Sequence, residues 1–221
     1  MNSKRYLTVL EKSSNNNNNT AAAQDAMKNI AVLVSGGGSN LQAIMDGIAD
    51  GRIVGARIAL VISSKAGAYA LTRAEGAGIP TAVVSKAELP DAAARTERIL
   101  ELLSRAGADM VVLAGYMQVI PPGVISCYSG RIINIHPSLI PKHCGMGYFG
   151  HHVHEAVLAA GDSESGATVH YVDEGVDTGE IIIQERVPVE LGDTADTLAA
   201  RVLETEHDII VKAIVEVLHR L

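Results

Sequence analysis

The segment RIINIHPSLIP, residues 131 to 141, is an apolar run that ends in Asn134, Ile135, His136 and Pro137. Successive side chains on a strand alternate between faces, so the amide of Asn134 and the imidazole of His136 project from the same side. A lone histidine in such a segment is more commonly a core side chain satisfied by a nearby carbonyl. A second stretch shifts that balance. In DEGVDTGEI, residues 173 to 181, Asp177 lies in a Gly-flanked loop after another strand-like run. Its carboxylate would favour a charged imidazole by opposite-charge attraction, which predicts a raised pKa for His136 and loss of activity on the alkaline side. An amide donor, an imidazolium and a carboxylate around one point can steady a developing oxyanion and move a proton. A third stretch, SGGGSN at 35 to 40, sets three glycines between a strand and a helix. Such a turn can aim several backbone N–H groups at one anion, a phosphate for example, and a bulky residue at Gly38 would then obstruct ligand approach. The motif is neither GxGxxG nor GxxxxGK[ST], and a plain flexible turn fits it nearly as well.

The elements that position these residues alternate along the chain. NIAVLVS precedes LQAIMDGIADG, RIALVISS precedes AYALTRAEGAG, and PTAVVSK precedes DAAARTERILELLSRAG, whose Asp91 is placed to cap a helix. DMVVLAG and RIINIHPS are further strands, while GATVHYVDEG and EIIIQERVPV read as two strands joined by a turn. The closing ADTLAARVLETEHDIIVKAIVEVLHRL carries apolar residues at helical spacing. This order predicts an α/β, Rossmann-like fold: a mostly parallel twisted sheet with helices on both faces and an antiparallel edge. Ligands of such sheets bind beyond the carboxyl ends of the strands, where Ser35 to Asn40, Gly115 to Met117 and Asn134 to Pro137 all fall.

The 221 residues, 48% hydrophobic, suffice for one well-packed domain with a tail. Residues 1 to 27 contain five consecutive Asn and are expected to be a disordered extension, with the compact domain over 28 to 221. A formal charge of −7 without a long Lys/Arg cluster argues against nucleic-acid or anionic-membrane partners, and no apolar run reaches spanning length. Two cysteines and no secretory signal point to reduced thiols in the cytoplasm.

Taken in order, SGGGSN, VVLAGYM (111 to 117), NIHPSLIPK (134 to 142), GATVHYVDEGVDTG (166 to 179) and ETEHDI (204 to 209) resemble the phosphoribosylglycinamide formyltransferases, folate-dependent enzymes of purine synthesis. The resemblance implies that the primary amine of glycinamide ribonucleotide attacks the formyl carbon of 10-formyltetrahydrofolate directly. Asn134 and His136 would steady the tetrahedral oxyanion, with Asp177 keeping His136 charged and helping to relay the proton. Gly38, Ser39 and Asn40 would hold the ribonucleotide phosphate, and Glu206 the glycinamide part. Tyr116, Met117, Gln118, Val119, Ile120 and Asn134 would line the folate site, whose aromatic and aliphatic wall suits a flat pterin. The chain departs from the family pattern at Gly37, where Asn is frequent, and at Gln118, where Arg is frequent and would supply a cation. A family Arg at the start of the third helix has no clear counterpart, Arg95 being the candidate.

PKHCGMGYFGHHVHEAVL, residues 141 to 158, contains His143, Cys144, His151, His152 and His154 at no usual zinc spacing. No metal is expected; its glycines suggest a mobile lid over folate. Rival readings are methionyl-tRNA formyltransferase and formyltetrahydrofolate hydrolase, each with an added domain, and a non-catalytic nucleotide-binding module. The expected partners are small-molecule substrates, with the chain a monomer or a homodimer.

Overall fold

β-Branched and aliphatic runs such as AVLV and ALVI favour extended backbone, and burial on both faces turns them into central strands. In the computed structural model, which describes residues 27 to 221, seven strands and six helices alternate. They are β1 (Lys28–Val34), α1 (Ser39–Ala49), β2 (Ala56–Ser63), α2 (Tyr69–Gly76), β3 (Thr81–Val83), α3 (Ala92–Arg105), β4 (Met110–Leu113), α4 (Pro122–Cys127), β5 (Ile132–His136), α5 (His151–Ala160), β6 (Glu164–Tyr171), β7 (Ile181–Pro188) and α6 (Ala195–Leu218). The strands form one sheet in the order β3-β2-β1-β4-β5-β6-β7. β1 to β5 all run parallel, whereas β6 is antiparallel to β5 and β7 to β6, the antiparallel edge expected from the sequence. Expectations for residues 1 to 26 lie outside the described residues.

Alternation along the strands divides two cores. Ile30, Val32 and Val34 of β1 meet Leu41 and Ile44 of α1 and the long buried stripe of α6, from Leu198 to Val217. Ala31 and Leu33 face the other way, toward Ile99 and Leu103 of α3 and Val124 of α4. The Asp91 carboxylate accepts from the Ala94 N–H at 2.7 Å, capping α3 as its position predicted. α4 is an element the strand and helix pattern did not include: Pro122 begins a short helix, where its missing N–H leaves nothing unsatisfied.

Chain order reverses between β1 and β4, so the loops leaving them diverge and open a crevice at the carboxyl edge. One hydroxyl spans that fork, with the Ser35 Oγ accepting from the Met117 N–H at 2.8 Å. Gly38 caps α1 with φ 73°, a left-handed conformation, and an added Cβ there would lie 2.6 Å from the Ala70 Cβ of α2. Gly38 therefore serves the packing of α1 against α2 whether or not it also faces a ligand. Gly38→Ala should lower stability by roughly 1–3 kcal/mol, seen as a fall of several degrees in Tm. Gly37→Ala, whose Cβ meets nothing within 4 Å, should leave Tm close to wild type.

Candidate active site

Pairing of β5 with β6 builds the centre of the site. Ile133 and Ile135 turn into the core, as do Ala167 and Val169 of β6, leaving Asn134 and His136 on the opposite face. The antiparallel register sets Asn134 across from His170 and His136 across from Thr168. His170 thus joins the site, a residue the sequence reading missed although GATVHY carries the same apolar-polar alternation as INIH. The Asn134 Nδ2 lies 3.1 Å from the His170 Nε2, whose other nitrogen lies 2.8 Å from the Tyr171 carbonyl oxygen. Because a carbonyl only accepts, the His170 Nδ1 carries a proton, and Nε2 is the nitrogen that faces the amide.

Asp177 reaches this cluster from the β6–β7 loop, at φ 57°, a backbone state uncommon for any residue with a Cβ. Its Oδ1 accepts from the Asn134 Nδ2 at 3.3 Å and lies 3.5 Å from the His170 Nε2. Its Oδ2 accepts from the Gly145 N–H at 2.9 Å and faces the His136 Nδ1 at 3.6 Å. Burial alone would raise this carboxyl, but the His170 contact, the nearby His136 and the Gly145 N–H outweigh it and hold Asp177 below its ordinary pKa.

His136 behaves otherwise than the sequence suggested. Burial is the largest influence and outweighs both Asp177 and the His143 carbonyl, so its pKa is lowered, not raised. The ring is neutral at neutral pH. Its Nε2 lies 3.0 Å from the His143 carbonyl oxygen and must carry the proton, leaving the Nδ1 lone pair facing Asp177. The arrangement is that of a general base whose partner carboxylate favours the cation it would become.

A cavity of about 310 Å³ opens over these groups. Tyr116, Met117, Gln118, Val119 and Ile120 line one side, Asn134, His136 and Asp177 the floor, and Met146, Tyr148 and Phe149 of the 141–150 loop the other side. Burial pushes the Tyr116 hydroxyl up to about 12, so it stays protonated. The residues suggested for phosphate binding stand apart from this cavity. Ser39 borders a second, more open depression with Gln42, Arg73 and His207. Beneath it the Asn40 Nδ2 donates to the Glu206 Oε2 at 2.6 Å, tying the start of α1 to α6. The Asn40 Oδ1 is buried without a hydrogen-bond partner among the described residues. Burial, only partly offset by Asn40, raises the Glu206 carboxyl to about 7.

The arginine beside the glycine loop is Arg73 of α2, a second residue missed in the sequence: its Nε donates to the Gly37 carbonyl at 2.9 Å and its Nη1 to Gln42 at 3.0 Å. Arg95 instead donates to the carbonyls of Leu89 and Pro90, at 2.6 and 2.7 Å, bracing the turn before α3. The ligand types in the 141–158 stretch diverge. His143 turns to Asp162, His151 to Asp196, His152 to Glu155, and the Cys144 thiol to the Pro141 carbonyl. No group of three or more His, Cys, Asp or Glu among the described residues is placed to hold a metal ion. No helix among them is long and apolar enough to cross a membrane.

Comparison with known proteins places this geometry in context. Residues 28–214 match the family described as formyl transferase. The chain is 42% identical over 181 residues to the phosphoribosylglycinamide formyltransferase of Escherichia coli, covering 82% of each. It is 47% identical to the trifunctional purine biosynthetic protein adenosine-3 of Drosophila pseudoobscura pseudoobscura; the match takes in 81% of this chain but spans only 13% of that protein's length. The crystal structure of glycinamide ribonucleotide transformylase 1 from Symbiobacterium toebii superposes with a TM-score of 0.80 at 43% identity, over 85% of this chain and 86% of the other. With its sheet order, its crevice and 42% identity over 82% of a phosphoribosylglycinamide formyltransferase, the chain belongs to the formyl transferase family, among the phosphoribosylglycinamide formyltransferases.

Proposed function

We infer that this protein transfers the formyl group of 10-formyltetrahydrofolate to the primary amine of glycinamide ribonucleotide in de novo purine biosynthesis. The observation that carries the reading is the meeting of Asn134, His136 and Asp177 at the floor of an apolar-walled cavity. In this reading the formyltransferase domain is residues 28 to 221, and Tyr116 to Ile120 with Asn134 hold the folate. Gly38, Ser39 and Asn40 hold the phosphate and Glu206 the glycinamide part. Both cysteines are unpaired, which supports a reducing, cytoplasmic setting.

His136 starts neutral and takes a proton from the attacking amine on Nδ1 as the new C–N bond forms. The resulting imidazolium has the Asp177 carboxylate on one side and the His143 carbonyl on the other, so both N–H groups face acceptors. The Asn134 amide turns from its longer bond to Asp177 toward the oxygen of the tetrahedral intermediate. The bond from the formyl carbon to the folate nitrogen then breaks, and that nitrogen takes the proton His136 received from the amine, which returns the ring to its neutral form. These groups supply the proton transfer and the oxyanion contact, and the nucleophile belongs to the substrate. Mixing the protein with glycinamide ribonucleotide and a 10-formyl folate analogue should give deformylated folate optically. Formate released with water as acceptor, and no formylated ribonucleotide, would instead identify a hydrolase.

Asp177→Asn removes the carboxylate charge while keeping its shape, and should lower kcat by roughly 10²–10⁴ if an acid–base contribution of ordinary size is lost. The sign of the pH effect follows from the base role. Activity requires neutral His136, so it is lost as pH falls through a pKa already below 6.5, and removing Asp177 lowers that pKa further. In kcat/KM against pH, the acid limb of the variant should therefore lie at lower pH than that of the wild type. An unchanged profile with near-full kcat would disprove the pairing.

Glu206 generates a stability prediction. A carboxyl that titrates near 7 when folded and near 4.5 when unfolded binds more protons in the folded state between those values. Stability of the free protein should fall as pH rises across that window, by roughly 3 kcal/mol at about 1.4 kcal/mol per pH unit. Glu206→Gln should flatten the decline of Tm between pH 5 and 8 while weakening ribonucleotide binding, measured by calorimetry.

A further inference from the structure

The base role of His136 depends on which nitrogen holds its proton, and that is decided by the His143 carbonyl. What holds the carbonyl there is a cluster outside the site described above. His143 sits at φ 49°, a left-handed state uncommon for a residue with a Cβ. Its Nε2 lies 2.7 Å from the Asp162 Oδ2, just beyond the end of α5. The carboxylate's other oxygen accepts from the Lys142 Nζ at 2.9 Å. Two successive side chains of the loop thus converge on one carboxylate. The base of the loop is held separately. The Ser138 Oγ donates to the Lys142 carbonyl at 2.6 Å, the Thr168 Oγ1 to the Ser138 carbonyl at 2.6 Å, and Gln184 to the Ile140 carbonyl at 3.0 Å. With both ends of residue 142 held and the His143 ring pinned to Asp162, the peptide that follows has little freedom. Its carbonyl points to His136, and two residues on the Gly145 N–H points to Asp177.

We propose that Asp162 is a positioning residue for formyl transfer: by fixing His143 it directs the His143 carbonyl to the His136 Nε2, and so holds the neutral imidazole in the tautomer whose Nδ1 is free to accept the proton. The proposal rests on the reading of His136 as the general base. Its logic is that of an orienting carboxylate acting one step further out. The carboxylate binds a first histidine by its side chain, and that histidine binds the second through its backbone. The short Asp162–His143 contact also draws the Asp162 carboxyl below its ordinary pKa, chiefly through that hydrogen bond and then through the one from Lys142, so the anchor is ionised wherever the enzyme is folded near neutral pH.

The test reads the tautomer directly, in the full chain labelled with 15N-histidine, without substrates and at a pH where His136 is neutral. In the wild type, long-range 15N–1H correlation should show His136 protonated on Nε2 alone. Asp162→Ala should give a tautomer mixture and lower kcat by roughly 10- to 100-fold, the effect expected of a misplaced catalytic group, with KM for the ribonucleotide within about twofold. Asp162→Asn, which keeps an oxygen for the His143 N–H, should restore the Nε2–H form and most of kcat. His143→Ala leaves the Lys142–Asp162 pair intact and should reproduce Asp162→Ala, and the double variant should be no worse than either single change. If Asp162→Ala fails to fold by circular dichroism, His143→Ala decides the question. A wild-type His136 protonated on Nδ1 would overturn the proposal. So would a folded Asp162→Ala or His143→Ala that keeps the pure Nε2–H tautomer, whatever its rate. Because the tautomer is read without turnover, this result stands apart from the Asp177→Asn kinetics that test the base role itself.

Discussion

The site depends on the reversal of strand direction at β6. Four parallel strand pairs carry the sheet from β3 to β5, and each brings its loop to the same edge. The antiparallel β6 then runs back along β5 in a register that faces Asn134 with His170 and His136 with Thr168. A slip of β6 by one residue would exchange its faces, sending His170 and Thr168 into the core and Ala167 and Val169 into the cavity. The buried apolar set therefore holds the polar set in place. The turn between β6 and β7 brings Asp177 back to the end of β5. That turn is tight at Gly179, where a Cβ would overlap the Tyr171 carbonyl oxygen. Hydrophobic burial on one face and a close backbone approach on the loop together place a carboxylate between two imidazoles.

Burial also decides the charge states. At His136 an anionic neighbour stands 3.6 Å away, yet desolvation outweighs it and the ring stays neutral. At Glu206 a single amide partner does not compensate for a nearly complete loss of water, and the carboxyl holds its proton to about 7. Asp177 goes the other way because several donors and a facing imidazole surround it. Three ionisable groups of ordinary intrinsic strength are thus set apart by how many partners each retains once water is excluded.

Much of this was legible in the chain. The alternation of strand and helix runs, the capping Asp91, the antiparallel edge and the residues gathered around the cavity floor all follow from periodicity and from recognisable stretches such as NIHPSL and DEGVDTG. The charge of His136 was not legible, because sequence shows the partner Asp177 but not the depth of burial that competes with it. His170 lay in a strand whose face becomes known only once the register with β5 is known. Arg73 lies 36 residues from the loop it supports, and Asp162 lies 19 from the histidine it holds. Neither spacing carries a local signal, since both contacts arise from the way helices return to the same sheet edge.

The two outer strands have a consequence for life at high protein concentration. β3 has three residues, too few to template another strand, and β7 presents Gln184, Glu185 and Arg186 along a partly exposed edge. Glu185 is paired with Lys212 of α6 and Arg186 with Glu164 of β6, so charge is held on both faces of that border. A foreign strand docking there would have to strip water from those ions before gaining any ladder hydrogen bond. The sheet that assembles the candidate site is thereby protected at both rims against the strand addition that seeds aggregation.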